Sequence, residues 1–346
     1  MRDYLLSLRE RHLDAVMALI DEVVDEGPAD GSALAEMCHY HLKTGGKRLR
    51  AVVPLAVAET LEAEPEPLIP FAAACEMLHN ATLVHDDLQD GDATRRGEPT
   101  IWKKFGLEHA VNLGDAMLYW PLLMLDRLDS PDGQFRAINR RFARQALAVI
   151  DGQEREFALT HVDEPTAEDY FRMVEGKTGG LFRLAVAGGA ELSGASAELV
   201  DQLDAAAADL GVLFQIQDDI LDLYGEKGRE HRGTDICEGK ISALVVHYLE
   251  NADPSEAETL RGLLEADREE VTLEEIDEMA EAFRRVGSLD AALGEIVDRR
   301  ERALAQPEIA DRPRLRELLT GIADLFVTPI RHVFEDRGIA LDETTD

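Results

Sequence analysis

Apolar residues recur every three or four positions along nearly the whole chain, with charges between them, as in Leu5, Leu8, Leu13, Val16 and Ile20. That period gathers apolar side chains on one face of an α-helix. No stretch alternates apolar and polar residues between turn signals, as a half-buried strand requires, so the sequence predicts an all-α chain. Breaks are few. Gly27-Pro28 stops the first helix, Pro65 and Pro67 separate the next pair, and Pro131-Asp132-Gly133 interrupts a later one. Thr166, followed by Glu168 and Asp169, reads as a helix start with acids in its first turn. The pattern predicts about a dozen helices joined by short loops. The longest irregular stretches run from Gly91 to Thr100 and from Gly225 to Gly239. Neither a linker-like shift in composition nor a repeat divides the chain. Residues 1–341 are therefore expected as one domain, with a frayed tail over 342–346.

Against this apolar background two acidic clusters stand out, each written Asp-Asp-x-x-Asp and each followed by one of the long loops. The first is Asp86, Asp87 and Asp90; the second is Asp218, Asp219 and Asp222. Residues four apart share a helix face, so Asp86 aligns with Asp90 and Asp218 with Asp222. Like charges at that spacing cost a bare helix roughly a few tenths of a kcal/mol per pair. An acidic surface could carry such clusters as solvated faces. Two copies on otherwise apolar helices point instead to bound cations. Open carboxylate clusters suit magnesium, which takes one or two protein carboxylates and completes its shell with water and substrate phosphates. The spacing predicts a magnesium-dependent diphosphate site.

The overall charge sharpens that reading. The chain has 346 residues, of which 70 are acidic and 36 basic, giving a formal charge of −34. Such a balance excludes nucleic acid and an anionic membrane surface as partners, since both need a basic face. It fits either a high-salt habitat or a solubility strategy. Cys38, Cys75 and Cys237 are too few and too far apart for a disulfide framework or a zinc site, and read as free thiols in a reducing cytoplasm. The N-terminus carries charge where a signal peptide needs an apolar stretch, and no apolar run approaches the roughly 18 residues of a membrane span.

Basic residues cluster near the acids. GGKRLR, at Gly45 to Arg50, follows Lys43; Arg95-Arg96-Gly97 follows the first cluster; Lys177-Thr178 and Lys240 lie in EGKTGG and CEGK. Arginine suits phosphate through its forked donors, and lysine acts as a point charge. A nucleotide P-loop does not fit. Arg48 stands where Ser or Thr is needed after Gly46-Lys47, and Phe171 where the first glycine is needed before Gly176-Lys177-Thr178. An EF-hand fails too, with Leu88 at its third position and Gly97 at its twelfth. His79 lies two helical turns before Asp86 on the same stripe, where a core histidine is the plainer alternative. Lys103-Lys104 reads as solvated surface, and Cys237 as incidental, with no paired base.

In order along the chain, GGKRLR, HNATLVHDDLQD with RRG, NLGDAM, GQ, KTGG, FQIQDDILD and GTDICEGK resemble the trans-isoprenyl diphosphate synthases, or polyprenyl synthetases, over nearly its whole length. The resemblance implies an isoprenoid-synthase-type helical bundle around a central cavity, usually dimeric and cytoplasmic. Its acid clusters would face each other and hold about three magnesium ions on an allylic diphosphate. Asp86, Asp90 and Asp218 would be direct ligands, with Asp87, Asp219 and Asp222 supporting them. Lys47, Arg50, His79 and Arg96 match the isopentenyl diphosphate site; Arg95, Lys177, Thr178, Gln215 and Lys240 match the allylic side. The implied reaction is magnesium-dependent head-to-tail (1'-4) condensation of isopentenyl diphosphate with dimethylallyl, geranyl or farnesyl diphosphate. Two positions depart from the family: Ala51 replaces a common proline, and His231 replaces a common lysine, with Arg229 and Arg232 nearby.

Product length is read from the residues before Asp86. Ala81 and Thr82 are small where short-chain synthases of the family commonly carry aromatics, so growth is expected to pass C15 and reach C20 to C25 or longer. Leu78 and Met77, or Tyr119 and Trp120, would then form the floor. Two other functions compete. A class I terpene cyclase usually pairs one Asp-rich motif with an Asn/Ser/Glu-type motif and needs no second diphosphate site. A non-catalytic regulatory subunit of a heteromeric synthase tends to lose its acid clusters, and this chain keeps all six aspartates.

Overall fold

The computed structural model describes residues 2–26, 32–225 and 232–340. In chain order the helices are α1 (Arg2–Asp25), α2 (Ala33–Lys43), α3 (Leu49–Thr60) and α4 (Ile69–Gln89). A minimal hairpin follows, β1 (Thr94–Arg95) with β2 (Glu98–Pro99), and then α5 (Ile101–Phe105) and α6 (Leu107–Leu125). Next come α7 (Asp132–Leu159), α8 (Ala167–Lys177), α9 (Gly179–Leu192), α10 (Ala197–Tyr224), α11 (Thr234–Cys237) and α12 (Ala243–Asn251). The chain continues through α13 (Pro254–Leu264), α14 (Leu273–Val286), α15 (Ser288–Leu304), α16 (Pro307–Ala310), α17 (Pro313–Val327) and α18 (Arg331–Arg337). The all-α expectation holds. Among the described residues the helix count exceeds the dozen expected, in part because α5, α11 and α16 are too short to show a period. The hairpin was likewise invisible, since two residues per strand cannot alternate. Gly27-Pro28 and the tail 342–346 lie outside the described residues.

Contacts divide the chain into two compact units, one of residues 1–146 with 181–204, the other of 147–180 with 205–346. In the first, α4 is buried on nearly every side from Phe71 to Val84 and packs chiefly on α6, α3 and α1. A helix that is apolar all round must lie at the centre of its unit. Close approach needs small residues. On α9 a Cβ at Gly188 would stand 2.3 Å from the Phe71 ring, and one at Gly189 3.0 Å from the Pro54 backbone. Along α1 the buried stripe runs Leu5, Leu8, His12, Val16, Ile20 and Val23. Leu13 sits beside that stripe, half-exposed, and His12 takes the expected core position.

The second unit is drawn together by paired glycines. A Cβ on Gly152 of α7 would meet the Lys177 backbone nitrogen at 2.1 Å, and one on Gly211 of α10 would meet Gly179 at 2.6 Å. These crossings bring KTGG against α7 and α10. Thr166 caps α8 as expected, in a reciprocal box with Asp169.

Candidate active site

The first acidic cluster closes α4. Asp86 and Asp90 are half-exposed, whereas Asp87 is buried. Asp87 accepts from Arg95 Nε and Nη2 on the same oxygen, Oδ1, both at 2.6 Å. Its other oxygen, Oδ2, is enclosed without a hydrogen-bond partner. Burial pushes the Asp87 carboxyl up, against the pull of Arg95.

Arg95 is held in place by the hairpin. Arg96 and Gly97 both have positive φ, 54° and 85°, as a two-residue type I′ connection requires. An arginine there is strained by of order 1 kcal/mol or more. Arg96 is secured by donating to the Gly45 carbonyl, and its guanidinium lies 2.8 Å from where a Gly46 Cβ would stand. Thus GGKRLR and RRG, 50 residues apart, meet in space. Thr100 Oγ1 and Trp102 Nε1 both donate to the Asp92 carbonyl at 2.7 Å, and Tyr40 Oη donates to the Pro99 carbonyl at 2.8 Å. Lys104, expected as plain surface, stacks 3.4 Å above the Tyr40 ring and fastens α5 to α2.

Within GGKRLR the three cations differ. Lys47 is exposed. Arg48 is buried and donates to Glu76 Oε1 at 2.9 Å, to Asn80 Oδ1 at 3.2 Å and to the Leu42 carbonyl. Arg50 is half-buried with its guanidinium 5.1 Å from the Phe182 ring centre, and burial lowers its pKa to about 10. His79 has its Nδ1 enclosed without a partner. Burial first, then the charges of Arg50, Arg95 and Arg96, hold its imidazole neutral, with a pKa well below the ordinary value. Of the wall residues, Leu78 and Ala81 are buried and Thr82 is half-buried, donating to the His79 carbonyl at 2.7 Å. Thr82 and Leu78 stand four and eight residues before Asp86 on the stripe that ends there. Tyr119 corrects an expectation: it is 70% exposed and forms no floor within this chain, whereas Trp120 is buried.

In the second unit Asp218 is exposed, while Asp219 and Asp222 are buried. Asp219 accepts from Tyr170 Oη at 2.6 Å, the Ala243 backbone N–H at 2.8 Å and Gln215 Nε2 at 3.0 Å. Burial nonetheless raises its pKa to about 6. Thr178 Oγ1 donates to Gln215 Oε1 at 2.9 Å, so Thr178 and Gln215 form one strand of this network. Asp222 accepts from Thr234 Oγ1 at 2.6 Å and from the Thr234 and Asp235 backbone N–H groups. Lys177 pairs with Glu156, and Lys240 with Glu238 at 2.8 Å. Arg232 is turned to Asp277 on α14 at 2.6 Å; Arg229 and His231 lie outside the described residues. Burial raises the Cys237 thiol, which keeps it protonated and unreactive.

Several of these residues carried no sequence signal. Tyr170 and Glu156 belong to no recognisable cluster, and only the fold brings them to Asp219 and Lys177. Glu76 could have been found, since one carboxylate inside the apolar run of α4 demands a buried partner. Asp235, in GTD, is a further acid whose carboxyl is raised well above the ordinary range by burial and by Asp219 and Asp222.

Asp87, Asp219 and Asp222 are thus buried and accept protein donors, while Asp86, Asp90 and Asp218 reach solvent, in a protein of helices and one minimal hairpin. Residues 32–283 match the profile of the polyprenyl synthetase family, and the chain belongs to that family, whose members are prenyltransferases. It is 29% identical over 330 residues to the short chain isoprenyl diphosphate synthase of Methanothermobacter thermautotrophicus, covering 91% of this chain and 96% of the relative. It is 31% identical over 310 residues to the geranylgeranyl pyrophosphate synthase of Geoglobus acetivorans, covering 89% and 94%. A crystal structure of a geranylgeranyl pyrophosphate synthase superposes with a TM-score of 0.84 at 30% identity, over 94% of this chain and 98% of the other.

The donor chemistry fits magnesium. Among the described residues no three His, Cys, Asp or Glu side chains close into a metal cage. Magnesium needs none, because it keeps water and substrate phosphate in most positions. Asp86 and Asp90, half-exposed at the end of α4, would offer oxygens to such a shell. No described helix is long and apolar enough to cross a membrane.

Proposed function

We propose that this prenyltransferase condenses isopentenyl diphosphate head to tail with an allylic diphosphate, giving an all-trans polyprenyl diphosphate of C20 to C25 or longer. The observation that carries the reading is the difference in exposure among the six aspartates. Asp87, Asp219 and Asp222 are buried and accept protein donors, whereas Asp86 and Asp90 are half-exposed and Asp218 is exposed. Asp86, Asp90 and Asp218 would hold magnesium, about three ions per site by family likeness. When bound, magnesium neutralises the allylic diphosphate and favours ionisation of its C–O bond.

The chain's own residues do the rest. Arg95, Lys177 and Lys240 bind the diphosphate that leaves, and Lys47, Arg50 and Arg96 bind that of isopentenyl diphosphate. Neutral His79 donates a hydrogen bond there without adding charge. Thr178 Oγ1 and Gln215 Oε1, bonded to each other, keep lone pairs that would stabilise the allylic cation without attacking it. The isopentenyl double bond adds to C1 of the cation, and the proton lost from the new chain goes to the departing diphosphate. Leu78, Ala81 and Thr82 line the wall along which the product grows. A homodimer is part of the proposal. Leu107, Val111, Tyr119, Leu122 and Leu123 leave an exposed apolar stripe on α6, of the kind that marks a protein interface.

Purified single chain, given labelled isopentenyl diphosphate with dimethylallyl, geranyl or farnesyl diphosphate and magnesium, should release alcohols of C20 to C25 or longer after phosphatase treatment. Products no longer than C15 would refute the length. Hydrocarbon released without isopentenyl diphosphate would mark a cyclase, and an inert chain a regulatory subunit.

A further inference from the structure

The segment from Gly233 to Lys240 ends α11 in a Schellman closure. Gly239, at φ 68°, passes its N–H to the Ile236 carbonyl at 3.1 Å, and Lys240 passes its own to the Asp235 carbonyl at 2.8 Å. The position tolerates only glycine for a second reason: a Cβ there would stand 2.6 Å from the Leu264 carbonyl at the end of α13. Lys240 therefore leaves a rigid stub, and the chain after α13 is pressed against it. That contact delivers Arg268 to Glu238. The Glu238 carboxylate, 14% exposed, then bridges two cations, with Oε2 2.8 Å from Lys240 Nζ and Oε1 3.0 Å from Arg268 Nη1.

A carboxylate paired with lysine alone would cancel most of the charge that lysine shows to a diphosphate. A second cation on its other oxygen changes the balance. We propose that Arg268 is the counter-ion of Glu238, so that Glu238 aims Lys240 at the allylic diphosphate without neutralising it. Glu238 and Arg268 are positioning residues; neither touches substrate. The inference rests on Lys240 serving the allylic diphosphate, as argued above.

The test is steady-state kinetics on the intact enzyme, varying each substrate separately, with pyrophosphate inhibition as an independent readout. Arg268→Gln should raise KM for the allylic diphosphate and the inhibition constant of pyrophosphate together, by about two- to fivefold, the range a partly exposed ion pair supplies. KM for isopentenyl diphosphate and the melting temperature should stay at wild-type values. Adding Glu238→Gln to that variant should return both raised constants to within about twofold of wild type, because the carboxylate left uncompensated is then gone. Equal shifts in both KM values, or a double variant worse than either single one, would overturn the proposal. So would an unchanged Arg268→Gln enzyme when Lys240→Met raises the allylic KM. If Lys240→Met itself leaves that KM unchanged, the role of Lys240 fails and the proposal falls with it.

Discussion

Arg48 shows how little a basic residue's neighbours say about its task. It lies between Lys47 and Arg50, yet its guanidinium is spent on Glu76, Asn80 and the Leu42 carbonyl inside the first unit. Arg48→Met should leave the Glu76 carboxylate without its cation and with the Asn80 amide still donating to it, at about 3 kcal/mol. Urea unfolding should show the loss as a lower midpoint with an unchanged slope. The buried histidines make a second case. Burial lowers His41 to about 3, and His79 falls well below its ordinary value. The unfolded chain binds protons at both where the folded one does not, so stability falls as pH drops below the ordinary histidine range of about 6.5. Each neutral histidine should contribute a slope of roughly 1.4 kcal/mol per pH unit until its folded pKa is reached. His41→Gln should flatten the descent in thermal melts between pH 6.5 and 5; an identical profile would show that the acid sensitivity lies elsewhere. The six aspartates and their flanking cations were legible because like charges on apolar helices are costly and so conspicuous. The supports Tyr170, Glu156 and Arg268 were not, since each reaches its partner only through tertiary packing.

At the scale of elements, α7 and α8 cross at glycine. Gly152→Ala would drive a methyl to within 2.1 Å of the Lys177 backbone, which no side-chain rotation relieves. The helices must part, at roughly 1–3 kcal/mol, and Lys177 moves with them. Calorimetry should register the destabilisation, and kcat should fall further than the folded fraction does. On α4 the effect is one of length. Ala81→Phe adds a ring to a buried wall, and chromatography of the dephosphorylated products should shift from C20–C25 toward C15; an unchanged profile would place the wall on another helix. The helices and the Thr166 cap were readable from period and cap chemistry. The hairpin at Thr94 to Pro99 was not, because two residues per strand show no alternation, and the contact of Arg96 with Gly45 spans 51 positions.

For the whole molecule the formal charge of −34 sets the conditions of work. Self-repulsion of that size favours the expanded chain, and salt screens it, the Debye length shrinking from about 10 Å at 0.1 M to about 3 Å at 1 M. The melting temperature in potassium chloride should therefore climb by about 5 °C or more across that range; a flat response would mean the surface charge carries no stability cost. In a salt-rich medium the pairing of Lys177 with Glu156 would take on a different meaning. Chloride, singly charged, gains too little from a cation already matched inside the protein to displace its carboxylate, whereas a polyvalent guest gains enough. A prenyltransferase guarded in this way would stay open to scarce metabolite among competing anions.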